Sequence, residues 1–199
     1  LVKGDHAFYI LSGLQTGNTP SLTLFACVGG IVFGVAGALF RKGSQWAQRG
    51  KPHGASIMWL MPAAAAFTGV AAIWLPQVMG NGRAAAEFAF GITGRAPSTM
   101  ILILLILLLV KTAATLLTIR SGASGGVLQP RISLGSLLGA ALGPPRVLLF
   151  PNYSVAAFAV IGAAALPSAS QQAPLMALFL VLALTAGPRA CRVPVRSAV

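Results

Sequence analysis

The polar positions of this chain are few, and they fall between long apolar runs rather than alternating with them. Ser21 to Phe40 carries no charge. About 20 apolar residues cross a bilayer as a helix, so this run predicts a spanning helix. Within it Gly30 and Gly34 form a GxxxG that Gly37 extends, a small-residue face through which two helices approach closely in lipid. Ser56 to Gly80 is again uncharged and is bracketed by Trp59 and Trp74, as interfacial aromatics bracket a span. Pro62 lies near its start, where a helix tolerates proline. The breaker cluster "LPQVMGNG" (Leu75 to Gly82) ends it, and "RAAAEFAFGI" predicts a short helix carrying Glu87.

Ser98 to Ile119 is the most lipid-like run and holds one charge, Lys111. A lysine at mid-span is costly, so it either faces a cavity or partner or snorkels to the interface. After a loop, "PPRVLLFPN", Tyr153 to Pro167 and Ala173 to Gly187 are apolar runs split by "SASQQ". Each is about 15 residues long, roughly 22 Å of helix, against a hydrocarbon core of about 30 Å. Such breaks are tolerated where protein buries them or water reaches them, and they mark transporter and channel interiors. Residues 1–20 read as the end of a preceding element plus a loop, and 188–199 as a basic tail.

Composition places this pattern in lipid. Apolar residues make up 56% of the chain and charged residues 8%, against about 25% charged in a soluble domain. The net charge is +12. The cations stand singly between apolar runs with no basic stripe and interleaved aromatics, which argues against nucleic acid as a partner. Arg41, Lys42, Arg49 and Lys51 are the densest group and predict a cytoplasmic loop. Cys27 and Cys191 make no CxxC, and His6 and His53 stand alone, so neither a metal site nor a cofactor is expected. Only Asp5 and Glu87 are acidic, and no nucleophile–base or carboxylate pair is present, so the chain is not read as an enzyme. The chain begins at Leu1 without a signal-peptide pattern, which reads as a fragment.

One stretch restarts a helix inside this apolar sequence: "SGASGGVLQPRISLGSLLGAALG", Ser121 to Gly143. Glycines oppose helix propagation through 121–129, and Pro130 suits a first turn. A helix is therefore expected to begin near Val127 to Pro130, with Gly135, Gly139 and Gly143 on one face. Its first amides lack intrahelical acceptors, and the macrodipole adds about half a positive charge. An anion suits such an end, and Gly125 and Gly126 clear its approach. Partial charges hold it weakly enough to leave. The competing reading is a helix start capped by Ser124 and packed through its glycines.

These residues resemble a known family. Gly126-Val127-Leu128-Gln129-Pro130 and the glycine-striped helix behind it resemble the GxFxP region of the CLC chloride channels and proton–chloride antiporters. "LFACVGGIVFGVAGALF", "LPQVMGNG", "LLLVKTAATLLTIRSG" and "FAVIGAAALPSASQQAPLMALFLVLALT" resemble, in order, segments of the family's second inverted half, over roughly residues 20–187. The resemblance implies an all-α, polytopic membrane protein with full-length and half-spanning helices, a partial CLC-like domain over 21–187. It also implies chloride as the transported ligand, a homodimer or association with the missing N-terminal half, and a bacterial plasma membrane with its lipid as surroundings.

The anion site it implies is Gly125, Gly126, Val127, Leu128 and Pro130, with backbone N–H groups of Val127 and Leu128 facing the ion. Leu128 stands where phenylalanine is usual, Gln129 and Arg131 where small or apolar residues are usual, and Ala183 where glutamate is frequent; Arg131 is expected to add a full charge near the anion or to point away to a surface. No GSGIP-like or GxExP-like segment and no pore tyrosine is present. The expected function is chloride transport as part of a channel or antiporter subunit. The alternative is a non-conducting remnant or membrane scaffold.

Overall fold

In the first helix the buried positions recur three and four apart: Phe33, Gly37, Phe40, Ser44 and Ala47. That spacing is one face of an α-helix, part of α1, Pro20–Arg49. The opposite face shows Ile31, Val35 and Leu39 outward. The structure, a computed structural model, describes residues 20–52, 54–92, 98–123, 125–147, 155–173, 175 and 179. His6, His53, Ser124, Ala183, Cys191, Asp5, the opening loop, most of the 173–187 run and the 188–199 tail lie outside these residues.

Five further α-helices follow: α2 (Ser56–Trp74), α3 (Arg83–Phe90), α4 (Ser98–Arg120), α5 (Leu128–Val147) and α6 (Val155–Gln171), with a 3₁₀ turn at Pro76–Val78 between α2 and α3. The described residues are all-helical, as expected. α2 and residues 99–120 are long and apolar enough to cross a membrane. α2 is almost wholly exposed, with Trp59 at 82% and Trp74 at 85%. An apolar helix bare on nearly every side suits lipid rather than water.

Three boundaries differ from expectation. The basic cluster is no loop, because α1 continues through Arg41 and Lys42 to Arg49. Polar residues on one side do not stop a helix whose buried stripe persists to Ala47. Pro144 and Pro145 lie inside α5, although they read as the start of a loop. The helix α6 keeps Ser168 and Ser170 and ends at Gln171, because each serine hydroxyl returns to a carbonyl of its own helix: Ser168 Oγ donates to Ala164 and Ser170 Oγ to Pro167. The break falls at Gln172, which takes a left-handed φ of 57°.

Helices α5 and α6 form the centre. They pack antiparallel, Gly135 against Gly162 and Gly139 against Phe158, with α1, α3 and α4 around them. A Cβ at Gly135 would enter the Gly162 carbonyl oxygen, one at Gly162 the Gly135 carbonyl oxygen, and one at Gly139 the Phe158 carbonyl oxygen. The stripe read from the sequence is thus a backbone-to-backbone seam. The GxxxG of α1 is only partly used: Gly37 meets Ala169 and Leu166 of α6, while Gly30 and Gly34 face open space.

Gly139→Val is therefore expected to lower stability by about 1–3 kcal/mol or more, the range for overpacking a filled core. Gly30→Ala should change it by less than about 0.5 kcal/mol. Unfolding midpoints of the two variants in the same detergent check this contrast.

Candidate anion site

The helix α5 begins where the glycines end. Arg131 N donates to Val127 O at 3.3 Å, which makes Val127 the residue whose carbonyl accepts the first helical bond, the N-cap. Serine, threonine, aspartate or asparagine at that place would accept from the amides of the first turn; valine has no acceptor. Pro130 has no N–H to offer. Among the described residues, neither the Val127 nor the Leu128 amide has a backbone acceptor. Gly125 and Gly126 are exposed, and nothing lies within 4 Å of where a Cβ would stand on either.

These residues open on a pocket of about 350 Å³. Gly125, Gly126, Val127 and Pro130 line it, facing Lys111, Thr115 and Thr118 of α4 and Gly80 and Asn81 of the breaker segment. Four of the five expected site residues therefore share one cavity. Leu128 does not line it, and its side chain packs against the core. An aromatic wall is absent for two reasons: the residue is aliphatic, and it turns away.

Lys111 neither snorkels nor stands free. It is 4% exposed, on the stripe Leu104, Leu107, Lys111, Ala114 that α4 buries. Its ammonium donates to Val78 O at 2.5 Å and to Gly80 O at 2.8 Å. These carbonyls belong to the breaker cluster, which leaves helical hydrogen bonding and needs donors in a dry place. The lysine supplies them and so ties α4 to the pocket's far wall. Nearby, the Thr115 and Thr118 hydroxyls donate back to Lys111 O and Ala114 O, which leaves their oxygens toward the cavity as acceptors at most. The start of α5 and the tethered Lys111 thus line the same cavity.

Arg131 takes a place that residue order does not suggest. The expectation was a charge beside the anion or one turned to a surface. Instead it is 8% exposed and sits outside the pocket lining, with its guanidinium carbon 5.7 Å from the centroid of the Phe40 ring. Its Nε is buried and has no hydrogen-bond partner among the described residues. Glu87, the acidic side chain among those residues, is engaged with Arg83 at 2.7 Å on the exposed face of α3, the helix-surface place expected for it. The missed residues are Val78 and Gly80, whose carbonyls hold Lys111. Nothing in a breaker cluster says which distant donor its carbonyls will take.

An all-helical, lipid-suited bundle in which one helix starts beside an internal pocket defines a class: a polytopic membrane protein with an interrupted helix at its centre. Comparison with known proteins gives the family within that class. The family model "Voltage gated chloride channel" matches residues 2–195, and the chain belongs to that family, the CLC proteins.

The chain is 34% identical over 200 aligned positions to the H(+)/Cl(-) exchange transporter ClcA of Salmonella paratyphi B, covering 93% of this chain and 39% of the relative. The ClcA of Salmonella newport matches with the same figures. The ClcA of Salmonella arizonae is 34% identical over 184 residues, covering 84% of this chain and 36% of the relative. The chain spans about two fifths of the length of the curated relatives it matches.

Two substitutions test these geometries. Lys111→Met keeps the volume and removes the donors, so it should cost about 1–3 kcal/mol through the orphaned carbonyls. Arg131→Met should instead stabilise by about 1–4 kcal/mol, because an apolar residue replaces a buried cation whose Nε has no acceptor. Thermal unfolding in detergent, read by circular dichroism, gives opposite signs if both are right.

Proposed function

We propose that this chain contributes to chloride transport across a bacterial plasma membrane as part of a CLC-type subunit, with the anion held by the amides of Val127 and Leu128 at the start of α5. One observation carries the reading: the approach to that helix start is stripped of side chains at Gly125 and Gly126, and it opens into the pocket that Lys111 also lines. Backbone donors and a helix terminus attract an anion through partial charges. Lys111 adds positive potential, and two of its three ammonium protons already go to Val78 and Gly80, so it contributes mainly through its field and holds an ion with one donor at most. Weak, multi-site binding is what conduction needs. Names of the relatives speak for chloride and for exchange with protons. The complete pathway would be shared with a second copy or with an N-terminal half of the kind the relatives carry.

A second reading has one observation of its own. Gly30 and Gly34 face open space on α1, where another helix can dock closely, and a scaffold that recruits helices would use that face without conducting.

Calorimetric titration of chloride into the detergent-solubilised chain separates the two. Binding in the wild type that is lost in Gly126→Val, whose side chain fills the approach, supports the anion site; absence of binding in the wild type leaves the scaffold. Chloride flux from liposomes carrying this chain alone is expected at or near background.

A further inference from the structure

The basic cluster read from the sequence as a marker of topology gains a fifth member in three dimensions. Helices α1 and α4 run side by side in the same direction. Gly43 of α1 lies against Leu116 of α4, and a Cβ on Gly50 would stand 2.6 Å from Nη1 of Arg120. The last residue of α4 therefore reaches the last turn of α1, between Arg49 and Lys51. The Arg120 guanidinium lies over the Trp46 ring, 4.3 Å from its centroid. Gly122 lies beside Ile57 in the first turn of α2. The C-termini of α1 and α4 and the N-terminus of α2 thus share one end of the bundle.

Both apolar spans stop at this end, α2 at Ser56 and the 99–120 span at Arg120. If those spans cross a bilayer, its headgroup layer passes here. Trp46 is 59% exposed and Trp59 lies one turn into α2, and indole rings favour that depth. Arg49, Lys51 and Arg120 meet at this end, with Arg41 and Lys42 about two turns back along α1, and Glu87 is committed to Arg83 elsewhere. Among the described residues no carboxylate pairs with these cations, and like charges held together call for a counter-charge from outside. The Arg120 plane, fixed by stacking on Trp46, keeps its fork of donors in the geometry that matches a phosphate bidentately.

We infer that this end of the bundle is a docking surface for anionic phospholipid headgroups, centred on Arg49, Lys51 and Arg120 with Trp46 as the interfacial anchor. The lipid's phosphate and the net negative charge of its headgroup meet the cations, and its acyl chains lie along the exposed apolar faces of α1 and α2. A zwitterionic headgroup carries the same phosphate beside its own ammonium and gains less. This surface is separate from the anion pocket and does not depend on what that pocket binds.

The test is lipid retention by the whole chain after delipidation, read by native mass spectrometry with phosphatidylglycerol against phosphatidylcholine. Wild type should prefer phosphatidylglycerol about tenfold, as expected when several cations act at a membrane surface. The triple variant Arg49→Gln, Lys51→Gln, Arg120→Gln should bring the two lipids to parity, while Arg83→Gln leaves the preference intact. Helical content is checked alongside. If the triple variant loses its fold, the wild-type comparison and the single Lys51→Gln decide. Equal retention of both lipids by wild type, or an unchanged preference in a folded triple variant, overturns the proposal. So does full displacement of phosphatidylglycerol by inorganic phosphate, which would make this a free-phosphate site. Chloride titration is unaffected by any of these outcomes, so failure here leaves the pocket's role standing.

Discussion

The seam where Gly135 and Gly139 of α5 meet Gly162 and Phe158 of α6 is the contact on which the rest of the bundle depends. Hydrophobic burial contributes little to helix association in lipid, where tails are as apolar as leucine, so close backbone packing has to supply the attraction. With no Cβ between them, the two backbones meet over several turns, and α5 becomes the best-buried helix of the bundle: every residue from Arg131 to Ala141 is buried. A helix gripped along its middle holds its first turn still. Because the pair is antiparallel, the N-terminus of α5 comes to rest beside the C-terminal turns of α6. The electropositive helix start therefore has a fixed place without any side chain assigned to hold it.

A second tie completes the pocket from the other side. The 3₁₀ turn and the glycines after it give up helical hydrogen bonding between α2 and α3, and their carbonyls must be answered inside the bundle. Lys111 answers two of them. Gly82, at a φ of 97°, then lets the chain enter α3 pressed against Ser133 of α5. A side chain there would meet both the left-handed backbone penalty and the Ser133 side chain. The breaker segment is thus pinned by α4 on one side and α5 on the other, and the cavity between them is a consequence of those two attachments.

Much of this was legible from residue order. The apolar runs marked α2 and α4, the breaker cluster marked the interruption between α2 and α3, and "SGGVLQP" placed the start of α5 between Val127 and Pro130, since glycine and proline act locally. What escaped was set by neighbours. The cluster Arg41–Lys42 reads as a loop when polarity is the guide, but the buried positions Phe40, Ser44 and Ala47 continue on one face, and packing on α4 and α6 carries the helix past the charges. Ser168 and Ser170 read as a break, yet both hydroxyls bond within the helix, a solution that costs little when water is absent. Leu128 was placed in the site by the motif; its amide stays at the helix start while its side chain joins the core, because backbone and side chain at one position answer to different neighbours. Arg131 was weighed only as near the anion or at a surface, since nothing in the residue order points to Phe40.

The two buried cations show why position rather than charge decides the chemistry here. Lys111 and Arg131 are buried to similar degrees. The lysine has two carbonyls within hydrogen-bond distance, so its charge is solvated by the protein while its field still reaches the pocket it lines. The arginine has an aromatic face at 5.7 Å and a buried Nε with no acceptor among the described residues, so part of its guanidinium goes unanswered. A free cation beside the amides of α5 would bind an anion tightly and hold it. A tethered one on the opposite wall of the pocket from a helix start gives, under the proposed function, a shallower attraction. The same apolar surroundings that make an unpaired charge expensive favour polar contacts made by dipoles and tethered groups, and around Val127 the sequence leaves the helix start open: valine brings no acceptor of its own to the N-cap, and Gly125 and Gly126 put no Cβ in the approach.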